Sequence, residues 1–211
     1  MKALAAATAP ATVSNLACGF DILGFAMQEP HDIVTAERKK EKGVSIKKII
    51  SPYGTVPLSA DKNTAGVAAS LLLKKINARF GIDLSIVKNL PIGSGLGSSA
   101  ASAVAAAYAV NKIAGNPFSK IELIEFGREA ERVACGSAHA DNVAPCMLGG
   151  IVLIRKSKPP EYISLPVPGK LFYAVVHPHV QVLTSESRAI LKYSSSVHRR
   201  GFSTGIDMAS L

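Results

Sequence analysis

Three glycines at alternate positions, Gly93, Gly95 and Gly97, run straight into the hydroxyls of Ser98 and Ser99. Glycine at every second place strips side chains from a loop. Backbone N–H groups aimed from such a loop into a helix N-terminus attract anions. An apolar run at 84–87 leads in and an alanine-rich segment at 100–114 leads out, so strand, loop and helix follow in order. The chain reads as built to hold phosphates.

Two commoner phosphate loops fail against these residues. A Walker A loop needs a lysine before its Ser/Thr, and no lysine lies between Pro91 and Val110. A dinucleotide-binding turn needs Gly-x-Gly-x-x-Gly and a second strand carrying an acid. Here the spacing is Gly-x-Gly-x-Gly, and the next predicted element is another helix. The plain alternative is a serine-capped turn, but a turn needs one or two glycines, not three. Further along, His139, Asp141 and Asn142 sit together among small residues with little helical periodicity. Such a cluster suits a polar substrate pocket, and a surface turn accounts for an Asp–Asn pair equally well. Glu131, with Glu125, Arg128 and Glu129, reads on its own as part of a solvated helix face.

The run from Pro91 to Ser102 resembles the ATP-binding signature of the GHMP kinases. Within that superfamily, residues 11–24 resemble the N-terminal segment of the homoserine kinases. Residues 136–146, followed by Leu148, Gly149 and Gly150, resemble their central active-site segment. The likeness extends from about Ala7 to Leu191. It implies ATP and Mg2+ as cofactors and L-homoserine as the substrate, phosphorylated on its side-chain hydroxyl in threonine biosynthesis. ATP would lie on Pro91, Ile92, Gly93, Ser94, Gly95, Leu96, Gly97, Ser98, Ser99, Ala100 and Ala101. Ser99 and Glu131 match the hydroxyl and the glutamate that hold magnesium in related kinases. Asn142 is assigned to orienting the acceptor hydroxyl. Asp141 stands where mevalonate-type relatives carry a catalytic base, and that role stays open here. An amino-acid substrate needs an acid or amide for its ammonium and a guanidinium for its carboxylate. Asn15 and Asp21 fit the first need, Arg188 with His139 the second, and Thr184 adds a hydrogen bond.

A helix N-terminus contributes only about 0.3–1 kcal/mol, up to roughly 2 in sheltered geometry. Enzymes lower barriers by at least about 8 kcal/mol, so metal and substrate alignment must do more than the loop. The superfamily's third glycine-rich motif and a second late substrate-binding arginine find no counterpart in these residues, and the sequence departs from the pattern after Tyr193. The expectation is a partial chain whose activity in isolation is open. Two rivals stand beside homoserine phosphorylation: another GHMP kinase acting on mevalonate or shikimate, and a catalytically silent basic fragment that binds RNA.

Composition sets outer bounds. A chain of 211 residues with 48% hydrophobic content can remove about 70% of its unfolded surface from water. The net charge of +9 favours an anionic ligand without choosing between ATP and nucleic acid. Much of it is local, at Arg38, Lys39, Lys40, Lys42, Lys47 and Lys48. These read as a solvated hairpin, since no aromatics interleave as stacking platforms for RNA. Cys18, Cys135 and Cys146 show no paired spacing and read as small apolar side chains in a reducing compartment. The apolar run after Met1 is short for a signal peptide, and the stretch 103–110 is too short to cross a bilayer. The expected setting is cytoplasmic, with no membrane or nucleic-acid partner; a homodimer rests on analogy alone.

The elements that must position these residues follow from pattern. Strands are predicted at 32–37, 44–50, 84–87, 151–154 and 171–177. Asn63 caps a helix running to about Phe80, and the alanine-rich helix stops at Gly115-Asn116-Pro117. Ser119 and Glu122 form a capping box for a helix to about Ala134. Residues 157–160 are the linker candidate, and a last helix near Ser185 carries Arg188. Strands and helices mix without regular alternation, which gives α+β. The resemblance implies a ribosomal-protein-like left-handed βαβ domain over 1–156, then the opening of a ferredoxin-like domain over 161–211.

Overall fold

A computed structural model of the chain describes residues 3–136, 138–167, 169 and 171–176. Six strands make one sheet: β1 (Leu4–Leu16), β2 (Gly19–Lys39), β3 (Gly43–Ile50), β4 (Gly81–Val87), β5 (Ile151–Ser157) and β6 (Pro160–Leu165). Their order is β3-β4-β2-β5-β6, with β1 also pairing β2. The long β2 is the spine. Its Ile33–Lys39 half pairs antiparallel with β4, and Leu23–Phe25 pairs with β5. The mixed α+β architecture is as expected.

Period-two alternation faces the sheet toward the helices. Ala7, Ala9 and Ala11 of β1, Val34 and Ala36 of β2, and Ile82, Leu84 and Ile86 of β4 are all buried. Against that face pack α1 (Thr64–Lys75) and α2 (Ser98–Ile113), and α3 (Lys120–Cys135) packs on those two helices. The middle helix α2 is buried along Ser98–Asn111 except at Ser99 and Tyr108, which are half-buried. Its alanines admit neighbours on every side. Asn63 caps α1 through Ala65 N, and Ser119 with Glu122 makes the expected capping box on α3. A short α4 (Val143–Leu148) follows the His139–Asn142 segment. Its close packing on α3 depends on Gly127, where a Cβ would lie 2.6 Å from Val143 Cγ1.

Several expectations are corrected. The basic hairpin at 38–48 is not a hairpin: β4 inserts between β2 and β3, and β3 runs parallel to β4. Asp83 on β4 lies 2.9 Å from Lys39 and 3.2 Å from Lys47, so two of the local cations share one carboxylate. The helix from Asn63 ends at Lys75 rather than Phe80, because the chain turns through Asn77 at φ 49°. Residues 157–160 are not a linker but the turn of the β5–β6 hairpin, with Ser157 opposite Pro160. Residues 171–176 carry no strand. Cys18 is exposed, unlike the buried Cys146. The strand β1 and the first half of β2, both unpredicted, turn the 11–24 segment into a β-hairpin. The helix near Ser185 lies outside the described residues.

Candidate active site

The glycine-rich loop leaves β4 and enters α2 with left-handed backbone at Gly93 (φ 69°), Gly95 (75°) and Gly97 (67°), which side chains resist. Gly97 is the N-cap of α2 and no side chain caps that helix. The contrast with the capped α1 and α3 is physical: the first-turn amides of α2 stay open to an outside acceptor. Nothing lies within 4 Å of a Cβ built on Gly95, so the loop is open there. Closing it at Gly97, a Cβ would meet Thr12 Oγ1 at 2.0 Å and Asn142 Oδ1 at 3.1 Å.

Those two contacts join the loop to the other candidate segments. Thr12 N donates to Leu96 O (3.1 Å), and its hydroxyl donates to Asn142 Oδ1 (2.8 Å). Asn142 Nδ2 then donates to Ser14 Oγ (3.1 Å), so the amide is held at both ends by β1. Asp141 is almost fully buried. Burial pushes its carboxyl above the ordinary range, and the nearby Asp21 adds to that rise. His139 and a hydrogen bond with Ser14 oppose it. His139 Nδ1 lies 3.4 Å from Asp21 Oδ1. Asp21 N in turn donates to Asn15 Oδ1 (2.9 Å), and both residues hold left-handed backbone (φ 62° and 59°) at the exposed hairpin end. Asn and Asp tolerate that conformation better than other side chains.

Glu131 is half-buried rather than on a solvated face, and its Oε2 accepts from Ser99 Oγ at 3.0 Å. The pair offers two hard oxygens at the head of α2. This suits Mg2+, which takes few protein oxygens beside phosphate and water. No group of three or more His, Cys, Asp or Glu is gathered for a metal among the described residues. Ser94 Oγ donates to Pro91 O (2.8 Å), tightening the loop's entry. Thr184 and Arg188 lie outside the described residues.

Sequence reasoning missed Thr12, Ser14 and Gly24. A Cβ on Gly24 would lie 1.9 Å from the Asp141 carbonyl oxygen and 3.2 Å from Pro145 Cγ. β2 therefore touches the Asp141 backbone directly. The Gly24→Ala variant is expected to displace Asp141 and Asn142 together, with a lower melting temperature and weaker acceptor binding. Differential scanning calorimetry and acceptor titration check it; parent values in both would show that the approach is slack. The position was legible only as a glycine ending the 11–24 segment. A missed buried trio, Asp32, Lys88 and Ser102, lies beneath the loop.

Residues 63–150 match the family described as GHMP kinases N terminal domain. The homoserine kinase of Chlorobium phaeobacteroides (strain DSM 266) is 50% identical over 196 residues, covering 88% of this chain and 61% of that protein. That of Chlorobaculum tepidum is 48% identical, covering 88% and 60%. The crystal structure of homoserine kinase from Cytophaga hutchinsonii superposes with a TM-score of 0.85 at 46% identity, covering 90% of this chain and 60% of that one. The chain thus spans about three fifths of the length of the curated relatives it matches.

Proposed function

We propose, for a chain that carries a GHMP kinase N-terminal domain and is homologous to homoserine kinases along most of its length, ATP-dependent phosphorylation of the L-homoserine side-chain hydroxyl. The observation that carries this reading is the uncapped, glycine-stripped entry to α2 joined through Thr12 to Asn142. A phosphate cradle and a hydroxyl-orienting amide share one hydrogen-bonded wall.

Residues 91–101 hold the triphosphate through backbone amides. The acceptor oxygen forms its bond to the γ-phosphorus as the bond to the bridging oxygen breaks, releasing ADP. The hydroxyl proton leaves toward Asp141, whose buried carboxyl holds a proton more readily than an ordinary aspartate. Asn142 orients the hydroxyl, held by Thr12 and Ser14. Asn15 and Asp21 take the substrate ammonium; His139, with Arg188 and Thr184, takes the carboxylate side. Ser99 and Glu131 would hold Mg2+, which neutralises charge on the transferring phosphoryl group when bound.

In the same reading, the ribosomal-protein-like left-handed βαβ domain takes in the whole sheet through β6, so the expected boundary at 156 moves beyond Leu165, and the residues after it open a ferredoxin-like domain. The parallel β3-α1-β4 crossover supports the presence of a βαβ unit. The protein acts in the cytoplasm on a small molecule, without nucleic acid, and a homodimer follows by analogy only. No helix among the described residues is long and apolar enough to cross a membrane.

A coupled assay offering homoserine, mevalonate and shikimate in competition tests the reading. The expected result is ADP release that depends on homoserine. Turnover of mevalonate or shikimate instead, or no acceptor-dependent ADP above background, would overturn it.

A further inference from the structure

Two charged residues sit where the sheet should present apolar ones. The inward row of β2, Val34 and Ala36, continues by the two-residue period to Asp32, and the inward row of β4, Ile82, Leu84 and Ile86, continues to Lys88. The β2–β4 register sets Ile33 opposite Val87, and one step further brings Asp32 opposite Lys88. Their side chains are 0% and 4% exposed. Buried charges must be paired and hydrogen-bonded, and these are. Lys88 Nζ donates to Asp32 Oδ2, to Ser98 O (2.6 Å) and to Ser102 Oγ (2.8 Å). Ser102 Oγ also donates to Asp32 Oδ2 (3.2 Å). The other carboxylate oxygen, Asp32 Oδ1, accepts from Asn89 N (2.8 Å) and Leu90 N (3.1 Å).

These bonds fall at two places that matter to the loop. Asn89 and Leu90 are where the chain leaves β4 for the glycine-rich turn, and Ser98 is the first residue of α2. Asp32 grips the departure and Lys88 grips the arrival. Between the grips lie Gly93, Gly95 and Gly97, whose bare backbone holds no shape of its own.

We propose that Asp32 and Lys88 are positioning residues for nucleotide: one buried ion pair that fixes both ends of the phosphate loop. They act through the loop amides and touch no ligand themselves. A pair retained only for sheet stability would need no bond to Ser98 O or to the Asn89 and Leu90 amides. The inference rests on the phosphotransfer reading for its nucleotide arm alone.

The test separates the two. Lys88→Met alone strands a buried carboxylate and is expected to fold poorly. The double variant K88M/D32N is neutral, keeps an oxygen acceptor for the Asn89 and Leu90 amides, and frees the Ser98 end. It is expected to melt cooperatively, bind Mg-ATP at least about tenfold more weakly than the parent by calorimetry, and bind homoserine unchanged. Parent-like nucleotide affinity in the folded double variant overturns the proposal, as does equal loss for both ligands. Hydrogen exchange on the parent without nucleotide supplies the independent arm. The Asn89 and Leu90 amides are expected to exchange as slowly as those inside α2, and exchange at the rate of an open loop overturns the clamp. Absence of any nucleotide heat in the parent defeats the phosphotransfer reading, while the exchange pattern still decides whether the loop ends are fixed.

Discussion

Replacing Gly97 with alanine is expected to cost the chain its nucleotide affinity and part of its stability together. The backbone there is left-handed (φ 67°), which disfavours an L side chain by about 1–2 kcal/mol. The new Cβ would also fall 2.0 Å from Thr12 Oγ1, on a fully buried residue. Overpacking of this kind adds about 1–3 kcal/mol. If the loop yields, the combined strain weakens Mg-ATP binding by roughly thirtyfold or more, at about 1.4 kcal/mol per decade. If Thr12 yields, Asn142 loses the hydroxyl that holds its Oδ1, and acceptor turnover falls instead. Gly95→Ala is the control. It has the same handedness (φ 75°) but nothing within 4 Å of its Cβ. Its melting temperature should fall only by the conformational cost, about 2–4 °C per kcal/mol at this length. Its nucleotide affinity should drop all the same, because the methyl fills the cradle. Calorimetry and thermal melts on both variants read the difference. Parent-like binding by Gly95→Ala would move the phosphates elsewhere, and parent-like binding together with parent-like turnover by Gly97→Ala would remove the wall shared with Asn142.

The contrast between those glycines shows what was legible in the sequence. Alternation of glycine marked the loop because it breaks every helical and strand pattern locally, and the resemblance pointed to Ser99 and Glu131, which the fold brings into hydrogen-bond contact. Helices α2 and α3 were readable from the alanine run and from Ser119 with Glu122, since caps act within one turn. What escaped was long-range. The insertion of β4 between β2 and β3 is a pairing of segments distant in sequence, Lys39 with Gly81 and Gly43 with Gly81, and local propensity carries no trace of it. Strand β1 is rich in alanine, a weak strand former, and persists because β2 lies along its whole length. Thr12 carried no mark of its own within the 11–24 segment until the fold brought Asn142 to it across 130 residues. Asp32 and Lys88 did leave a signal. Each extends an inward-facing alternation by one step, and two opposite charges doing so at the ends of two strands suggest a buried pair. That inference needs the strand register, which the sequence did not supply.

Asp141→Asn is expected to raise stability while lowering turnover. Burial, reinforced by the charge of Asp21, lifts the native carboxyl above its ordinary range, against the opposing pull of His139. The native state therefore binds a proton more tightly than the unfolded chain does. Between the ordinary carboxylate value and the raised native value it holds more protons, so stability falls as pH rises through that window and stays lower above it. Asparagine has no such ionisation. The variant should melt higher than the parent at neutral pH, and the difference should vanish as pH drops below the ordinary aspartate range. In the proposed phosphotransfer, activity moves the other way, because the hydroxyl proton loses its acceptor. General-base contributions are about 10²–10⁴-fold, so homoserine-dependent ADP release should fall by at least roughly a hundredfold. In the parent, the acid limb of kcat/KM should rise with deprotonation of Asp141, at a pH above that of a free aspartate; the variant should lose that limb. Turnover at the parent level, with the higher melting temperature retained, would show that Asp141 merely sits near the acceptor. In that case Asn142, held between Thr12 and Ser14, would align the hydroxyl while the proton departs to the phosphoryl oxygens.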